Sequence, residues 1–139
     1  MSMKNVYIAA ATRTAVGKAP RGGLREVRPD DMAAAVLREA VKRAGIQPGQ
    51  VQDVTLGCAI PEQEQGMNVA RVAAIDAGFP DTVSAATINR FCSSGLEAMA
   101  VVAAKIEAGL LDIGIGGGTE SMSMVGMPGA NVSPNPKLS

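Results

Sequence analysis

The chain contains 139 residues, of which 47% are hydrophobic and only 2% are aromatic. Its 13 basic residues balance 13 acidic ones, so its charge gives no reason to expect nucleic acid or an anionic membrane as a partner. This length allows one domain or part of one, and the core must be built from alanine, aliphatic residues and methionine.

The cysteine and histidine counts limit the chemistry. The two cysteines do not form a disulfide framework, and the chain has no histidine. A Cys–His or Ser–His catalytic pair therefore cannot form within this chain. The apolar run near the N-terminus is too short for a signal peptide or a membrane span. These features predict a cytoplasmic location, where a free thiol stays reduced and reactive, and no membrane partner.

Short apolar runs alternate with helical patterns along the chain. The patterns predict, in order, strand Val6–Ala11, a helix from Pro29 to Gly45, strand Val51–Gly57, helix Val69–Ala77, strand Val83–Asn89, a helix that begins near Cys92 and ends at Gly109, and strand Leu111–Ile115. Four β units that alternate with three helices are typical of a layered α/β fold. We expect a mostly parallel sheet with right-handed crossovers and helices on both faces.

A cysteine stands at the start of the third predicted helix. Between Leu96 and Ala104 the only charged residue is Glu97, and a helix without a polar face is normally buried all round. Cys92 precedes this helix, where unpaired N–H groups and the positive end of the helix dipole stabilise a thiolate, the nucleophilic form. A small buried hydrophobe is the alternative interpretation of Cys92. Its position alone leaves both open.

Two further features have structural explanations. Cys58 follows the second predicted strand with nothing nearby to activate it, which favours a buried structural thiol. The glycines after Leu111–Ile115 invite a dinucleotide-binding interpretation, but the G-x-G-x-x-G spacing places Thr119 or Ser121 at the last glycine. Close approach of the backbone to a packed neighbour explains these glycines better. We expect neither a bound cofactor nor a metal ion.

Several blocks of this sequence resemble those of the thiolases, the acetyl-CoA acyltransferases. The block NRFCSSGLEA around Cys92 is similar to the acyl-enzyme motif of that family. Three further blocks match in order: GCAIPE from Gly57, EQGMNVAR from Glu64 and GGGTESMS from Gly116. The opening strand, followed by RTAVG from Arg13, also fits. The resemblance runs from about Val6 to the last residues.

The resemblance implies a catalytic role for Cys92. In the family, the matching cysteine attacks the 3-keto carbonyl of an acyl-CoA, becomes acylated and passes the acyl group to coenzyme A. The reverse exchange is a Claisen condensation. Acyl-CoA and coenzyme A are then substrates rather than cofactors, and no coenzyme-binding residue is assigned. The C-S-S-G sequence, with Ser93 after the cysteine, favours the thiolases of fatty-acid breakdown (β-oxidation) over biosynthetic ones.

The resemblance also implies that this chain holds only part of such an enzyme. Thiolases carry two related α/β halves and a loop domain inserted in the first. Their activating histidine and second catalytic cysteine come from the second half, and Cys58 does not match that cysteine. We therefore expect residues 1–120 to be an incomplete N-terminal α/β domain and residues 121–139 to begin the loop region, with the second half absent.

The expected partners follow from the same resemblance. They are the remaining half of the thiolase, without which we expect the chain to be inactive, and further copies in a homodimer or homotetramer. Two alternatives stay open. One is another condensing enzyme of the superfamily, similar to the ketoacyl synthases, and the other is a non-catalytic thiolase-like partner domain.

Overall fold

The computed structural model describes residues 4–137. Its helices are α1 (Pro29–Ala44), α2 (Val69–Asp76) and α3 (Ser94–Glu107), and its strands are β1 (Asp53–Gly57), β2 (Ser84–Ile88) and β3 (Gly114–Gly118). Short 3-10 helices lie at Pro48–Gln50 and Gln63–Gln65. Strands and helices alternate from β1 onward, which confirms the predicted α/β class.

The described strands form one parallel sheet with the order β2-β1-β3. In the central strand, Asp53 pairs with Ser84 and with Gly114, and the register continues to the other end of the strand. The chain returns to the sheet each time through a helix, with α2 between β1 and β2 and α3 between β2 and β3, as parallel pairing requires. The predicted parallel arrangement is therefore confirmed, and the strands end at a common edge.

The main hydrophobic core lies on one face of this sheet. Helix α2 packs on β1 and β2, and α1 packs against α2. Helix α1 ends before Gly45, whose φ of 68° is a left-handed conformation that glycine adopts without strain. The buried members of the core are Ala33, Ala34, Leu37, Val41, Val51, Val54, Leu56, Ala70, Ala73, Ala74, Ala77, Phe79 and Val83. Most are small, so the helices lie close to the sheet.

Helix α3 covers the opposite face of the sheet, against β1 and β3. Side chains alternate along a strand, so Asp53 and Thr55 point away from the core and towards α3. A Cβ atom on Gly116 would lie 2.6 Å from the Cα atom of Met99, so the helix backbone rests directly on β3. This contact confirms the prediction that the glycine run serves close packing. Helices lie on both faces, also as expected.

The predicted first strand, Val6–Ala11, is wrong. These residues form no strand, and Tyr7 and Ile8 are 81% and 86% exposed. The Arg43 guanidinium donates a hydrogen bond to the Ala11 carbonyl (3.2 Å) at the end of the segment. An apolar run indicates a preference for burial, but a strand also needs a neighbouring edge. None of the described strands pairs with these residues.

The last strand lies three residues later than predicted, at Gly114–Gly118 instead of Leu111–Ile115. Glycine has a low β propensity, so the predicted strand ended at Ile115, before the glycines that begin at Gly116. These residues form a strand because α3 packs so close to β3 that side chains at Gly114 and Gly116 would overlap the helix.

The prediction of a nucleophile helix buried on all sides is also wrong for the described residues. Ser94, Ala98 and Val102 are buried, but Leu96 and Met99 are 69% and 49% exposed. Residues 4–137 therefore cover one side of α3 and leave apolar side chains exposed on the other.

Candidate active site

Three parallel strands end at the same edge of the sheet, and the candidate site residues follow them. Cys58 follows β1, the turn containing Cys92 follows β2, and Glu120 follows β3. The Asn89 side chain joins two of these segments by donating a hydrogen bond from Nδ2 to the Ala59 carbonyl (3.0 Å). Open α/β sheets place their ligand sites at this edge.

Cys92 lies in the turn between β2 and α3, two residues before the helix begins at Ser94. Its side chain is exposed, whereas Cys58 is buried. The interpretation of Cys92 as a small buried hydrophobe therefore does not describe this structure. A thiol in this position is open to a reagent or substrate.

The turn before Cys92 has an unusual backbone conformation. Phe91 has a φ of 46°, a left-handed conformation that costs about 1–2 kcal/mol for a residue other than glycine. Two side chains hold it. Asn89 Oδ1 accepts the Phe91 N–H (2.8 Å), and Ser94 Oγ donates to the Phe91 carbonyl (2.6 Å) while accepting the Arg90 N–H (2.8 Å). Surrounding hydrogen bonds thus fix the path of the chain into Cys92.

The first turn of α3 begins two residues after Cys92 in the chain. Ser93 is the N-cap residue, but its side chain does not cap the helix and instead donates to the Arg90 carbonyl (3.0 Å). No side chain caps the helix N–H groups, although the Ser94 N–H itself donates to the Phe91 carbonyl (3.0 Å). The first turn carries the positive end of the helix dipole. Glu97 in this turn forms an ion pair with Arg90 (3.0 Å), which ties the helix to the turn.

Two open cavities flank the turn. One of about 380 Å³ is lined by Ala59, Ile60, Pro61, Glu62, Asn89, Phe91, Met127 and Pro128. The other, of about 280 Å³, is lined by Gly57, Gly95, Gly118, Thr119 and Glu120. The first is mainly apolar in its residue types, so it suits a hydrocarbon chain. Three of the residues that line the second cavity are glycines, so backbone atoms form much of its wall.

The prediction that Cys58 is a buried structural thiol is confirmed. It is 1% exposed, and its Sγ lies 3.7 Å from Glu120 Oε1. Burial raises the pKa of the Cys58 thiol to about 12, and the negative charge of Glu120 acts in the same direction. A neutral thiol is a poor nucleophile, so of the two cysteines Cys58 is the unreactive one.

Glu120 and Gln65 are structural residues of the site that sequence reasoning missed. Glu120 Oε2 accepts the Ala59 N–H (2.6 Å), and its Oε1 accepts from Gln65 Nε2 (2.7 Å). Gln65 is fully buried, and its Oε1 accepts the Ser121 N–H at 2.5 Å. These bonds join the segments after β1 and β3. An acidic residue two positions after the glycine-rich strand was the signal available in the sequence.

Two searches of residues 4–137 give negative results. They contain no group of three or more histidine, cysteine, aspartate or glutamate side chains arranged to hold a metal ion. No helix within the same residues is long and apolar enough to cross a membrane.

Comparison with known proteins identifies relatives over most of the chain. The family model described as "Thiolase, N-terminal domain" matches residues 6–137. The chain is 50% identical over 133 residues to a 3-ketoacyl-CoA thiolase of Bacillus subtilis, which covers 96% of this chain and 34% of that protein. It is also 50% identical over 125 residues to the peroxisomal 3-ketoacyl-CoA thiolase 5 of Arabidopsis thaliana, covering 90% of this chain and 27% of the relative.

A solved structure shows the same fold. The crystal structure of the Bacillus anthracis acetyl-CoA acetyltransferase superposes with a TM-score of 0.83 at 40% identity, over 96% of this chain and 35% of that one. The chain thus spans between about a quarter and a third of the length of these relatives. The family model, the sequence relatives and the shared fold agree: this chain belongs to the thiolase family, in the region of the N-terminal domain.

Proposed function

We propose that this chain supplies the nucleophile of a thiolase reaction, with Cys92 as the acyl carrier. The Cys92 thiolate attacks the 3-keto carbonyl of a 3-ketoacyl-CoA and forms a carbon–sulfur bond. The carbon–carbon bond next to that carbonyl breaks, and its electron pair leaves with acetyl-CoA, which takes up a proton. The thiol of coenzyme A then attacks the acyl-cysteine, which releases a shortened acyl-CoA and the free thiol. The reverse sequence is the Claisen condensation.

The observation that carries this proposal is the position of Cys92. It is the exposed cysteine, it lies in a turn held by hydrogen bonds, and it stands before the first turn of α3 within the region that matches the thiolase family. The N–H groups of that turn suit an oxyanion on the attacked carbonyl. Cys58 does not compete for the role because its pKa is raised to about 12.

The substrates proposed are acyl-CoA thioesters and coenzyme A, with no separate cofactor. The cavity that includes Ile60, Phe91 and Met127 lies beside the turn and suits an acyl chain because hydrocarbon is favourably transferred to an apolar surface. The relatives with 3-ketoacyl-CoA thiolase in their names support the degradative direction.

The proposal includes the remainder of a thiolase as a partner. The chain has no histidine, so a histidine base must come from outside it. Cys58 is buried with a pKa raised to about 12, so we also assign the second catalytic cysteine to the partner. The exposed apolar side chains of α3 support the presence of a covering layer. We also propose a homodimer or homotetramer and a cytoplasmic location, consistent with the bacterial relative, although the Arabidopsis relatives are described as peroxisomal. Light scattering and cell fractionation test these two points.

The decisive experiment is acyl trapping. The protein assembled with the rest of the thiolase fold is mixed with acetyl-CoA, quenched in acid and digested for peptide mass spectrometry. We expect one acetyl group on the peptide containing Cys92 and none after Cys92→Ala. Cys58→Ala is the matched control, and it should leave the labelling in place. Absence of an acetyl group on Cys92 in the parent protein would refute the proposal.

A further inference from the structure

In the turn between β2 and α3, the buried Ser94 side chain directs both of its hydrogen bonds at the backbone before Cys92. Ser94 Oγ accepts the Arg90 N–H (2.8 Å) and donates to the Phe91 carbonyl (2.6 Å). The backbone N–H of Ser94 donates to the same Phe91 carbonyl (3.0 Å). A hydroxyl has one proton to donate, so this pattern uses that proton and fixes the rotation of the side chain.

Burial keeps this hydroxyl in place. Ser94 is 4% exposed, whereas its neighbours Cys92 and Ser93 are exposed. The backbone of Ser94 lies against Gly57 of β1 so closely that a Cβ atom on Gly57 would overlap it. The side chain thus projects from a backbone segment that packs directly on the central strand.

The turn needs such a restraint because Phe91 occupies a left-handed conformation, from which a residue other than glycine relaxes unless its surroundings prevent it. Relaxation at Phe91 would redirect the next residue, Cys92. Small errors in the placement of a nucleophile lower the rate of reaction strongly.

We infer that Ser94 is a positioning residue for Cys92: its hydroxyl holds the Arg90–Phe91 backbone so that the thiol stands before the first turn of α3. This inference rests on the proposed function for its catalytic consequence, but the restraint itself is a property of the turn. Ser94 does not touch the substrate in this role. It acts through the two backbone groups that it binds.

The first test separates positioning from binding. In the protein assembled with the rest of the thiolase fold, Ser94→Ala should lower the rate of Cys92 acylation by acetyl-CoA at least about tenfold, with KM for acetyl-CoA changed less than about twofold. Ser84→Ala is the control. Its hydroxyl lies at the other end of β2, within hydrogen-bond distance of two acceptors, the Gln52 carbonyl (3.2 Å) and Asp53 Oδ1 (2.9 Å), which share its single proton. It should keep the parent rate within about twofold.

The second test reads the restraint without any acyl transfer. Hydrogen exchange at the Arg90 amide should be slow in the parent protein and about tenfold faster in Ser94→Ala, but unchanged in Ser84→Ala. An unprotected Arg90 amide in the parent protein would overturn the inference even if Ser94→Ala failed to fold. If the parent protein is not acylated at Cys92, the proposed function fails while the exchange result still decides the role of Ser94 in the turn.

A rescue variant provides the third test. Phe91→Gly introduces a residue that adopts the left-handed conformation without strain. In the Ser94→Ala background it should recover part of the lost acylation rate at saturating acetyl-CoA, because the turn then needs less restraint. Parent-like acylation by Ser94→Ala, or a rise in KM with no fall in the maximal rate, would overturn the positioning role.

Discussion

Gly57 at the end of β1 and Ser94 at the start of α3 are in direct backbone contact. A Cβ atom added to Gly57 would overlap the Ser94 carbonyl group. This contact seats the first turn of α3 on the central strand, and the turn with Cys92 is attached to that first turn. The position of the candidate nucleophile therefore depends on the absence of one side chain from the neighbouring strand.

Gly57→Ala should destabilise the protein by about 3 kcal/mol, because an added methyl group at a closed backbone contact forces the helix away from the strand. The free energy of unfolding from urea denaturation measures this. Gly23→Ala is the control, since nothing lies within 4 Å of a Cβ atom at that position, and its effect should stay within about 0.5 kcal/mol. Equal stability of the two variants would contradict the close contact.

The far end of the same helix should depend on an ion pair. Asp53 has a side chain only 7% exposed and binds Lys105 with an Nζ–Oδ2 distance of 2.5 Å. Lys105→Met leaves that carboxylate without its cation and should cost about 2–3 kcal/mol, a little less than for a fully buried pair because Lys105 is partly exposed. Chemical denaturation measures the change.

Lys4→Met is the control for this ion pair. Lys4 and Asp112 are 2.6 Å apart, but their side chains are 50% and 72% exposed. Loss of such an exposed pair should cost no more than about 0.5 kcal/mol. If Lys4→Met were as harmful as Lys105→Met, burial of Asp53 would not be the cause.

The two cysteines should differ in their reaction with iodoacetamide. At about pH 8 the exposed Cys92 should be modified and the buried Cys58 protected, because the thiolate is the reactive form and burial disfavours it. Peptide mass spectrometry identifies the modified residue. Glu120→Gln should lower the pKa of Cys58 without exposing it, because the neighbouring negative charge is removed. Modification of native Cys58 as fast as Cys92 would contradict the structure.

The Cys58 thiol should also make the folded protein less stable at alkaline pH. The pKa of Cys58 is raised from an ordinary value of 9.0 to about 12 in the folded protein. The folded protein therefore holds the thiol proton more tightly than the unfolded chain does. The resulting contribution to the free energy of unfolding is complete below pH 9.0 and is lost as the pH rises from 9.0 towards 12. Cys58→Ala should reduce this alkaline loss when the free energy of unfolding is compared across that range.

Thr55 offers a stabilising substitution. It is 1% exposed in the central strand, and its Oγ1 has no hydrogen-bond partner among residues 4–137. Thr55→Val keeps the shape and removes the unsatisfied hydroxyl, so it should stabilise the protein by about 1 kcal/mol. Thermal or urea denaturation would detect the gain.

Thr87→Val is the matched control, for which we expect the opposite change in stability. The Thr87 hydroxyl donates to Asn68 Oδ1 (2.8 Å) and accepts the Ala70 N–H (3.1 Å). The same substitution there should destabilise the protein by about 1–2 kcal/mol, because two polar groups lose their partner. A destabilising effect at Thr55 would mean that its hydroxyl is bonded after all.

Local patterns predicted most elements but not how they associate. The helix from Pro29 to Gly45 was predictable because its amphipathic pattern and its terminal proline and glycine are all local signals. The structure of the segment Val6–Ala11 was not predictable, because its apolar composition indicates only a preference for burial. It does not indicate which strand the segment would pair with. The bounds of β3 were misplaced for a similar reason, since its glycines form a strand only where a helix packs directly on them.

The site shows the same division. Cys92 was identified from its place before an apolar helix and from its motif, and the unreactive character of Cys58 from the lack of an activating neighbour. Glu120 and Gln65 were not identified, since their 2.7 Å hydrogen bond joins residues 55 positions apart in the chain. The left-handed Phe91 was not predicted either, because the restraint comes from side chains that face it in space.

The amino-acid sequence by itself determined the α/β class, the parallel crossovers, the family and the cysteine to which chemistry is assigned. These follow from periodicity, capping and motif, which act over a few residues. Only the tertiary structure decided that residues 4–137 leave the outer side of α3 exposed, that α3 packs on a strand of glycines, and that Ser94 holds the turn before Cys92. Those features depend on contacts between segments that are far apart in the chain. Local sequence patterns do not specify the geometry of such contacts.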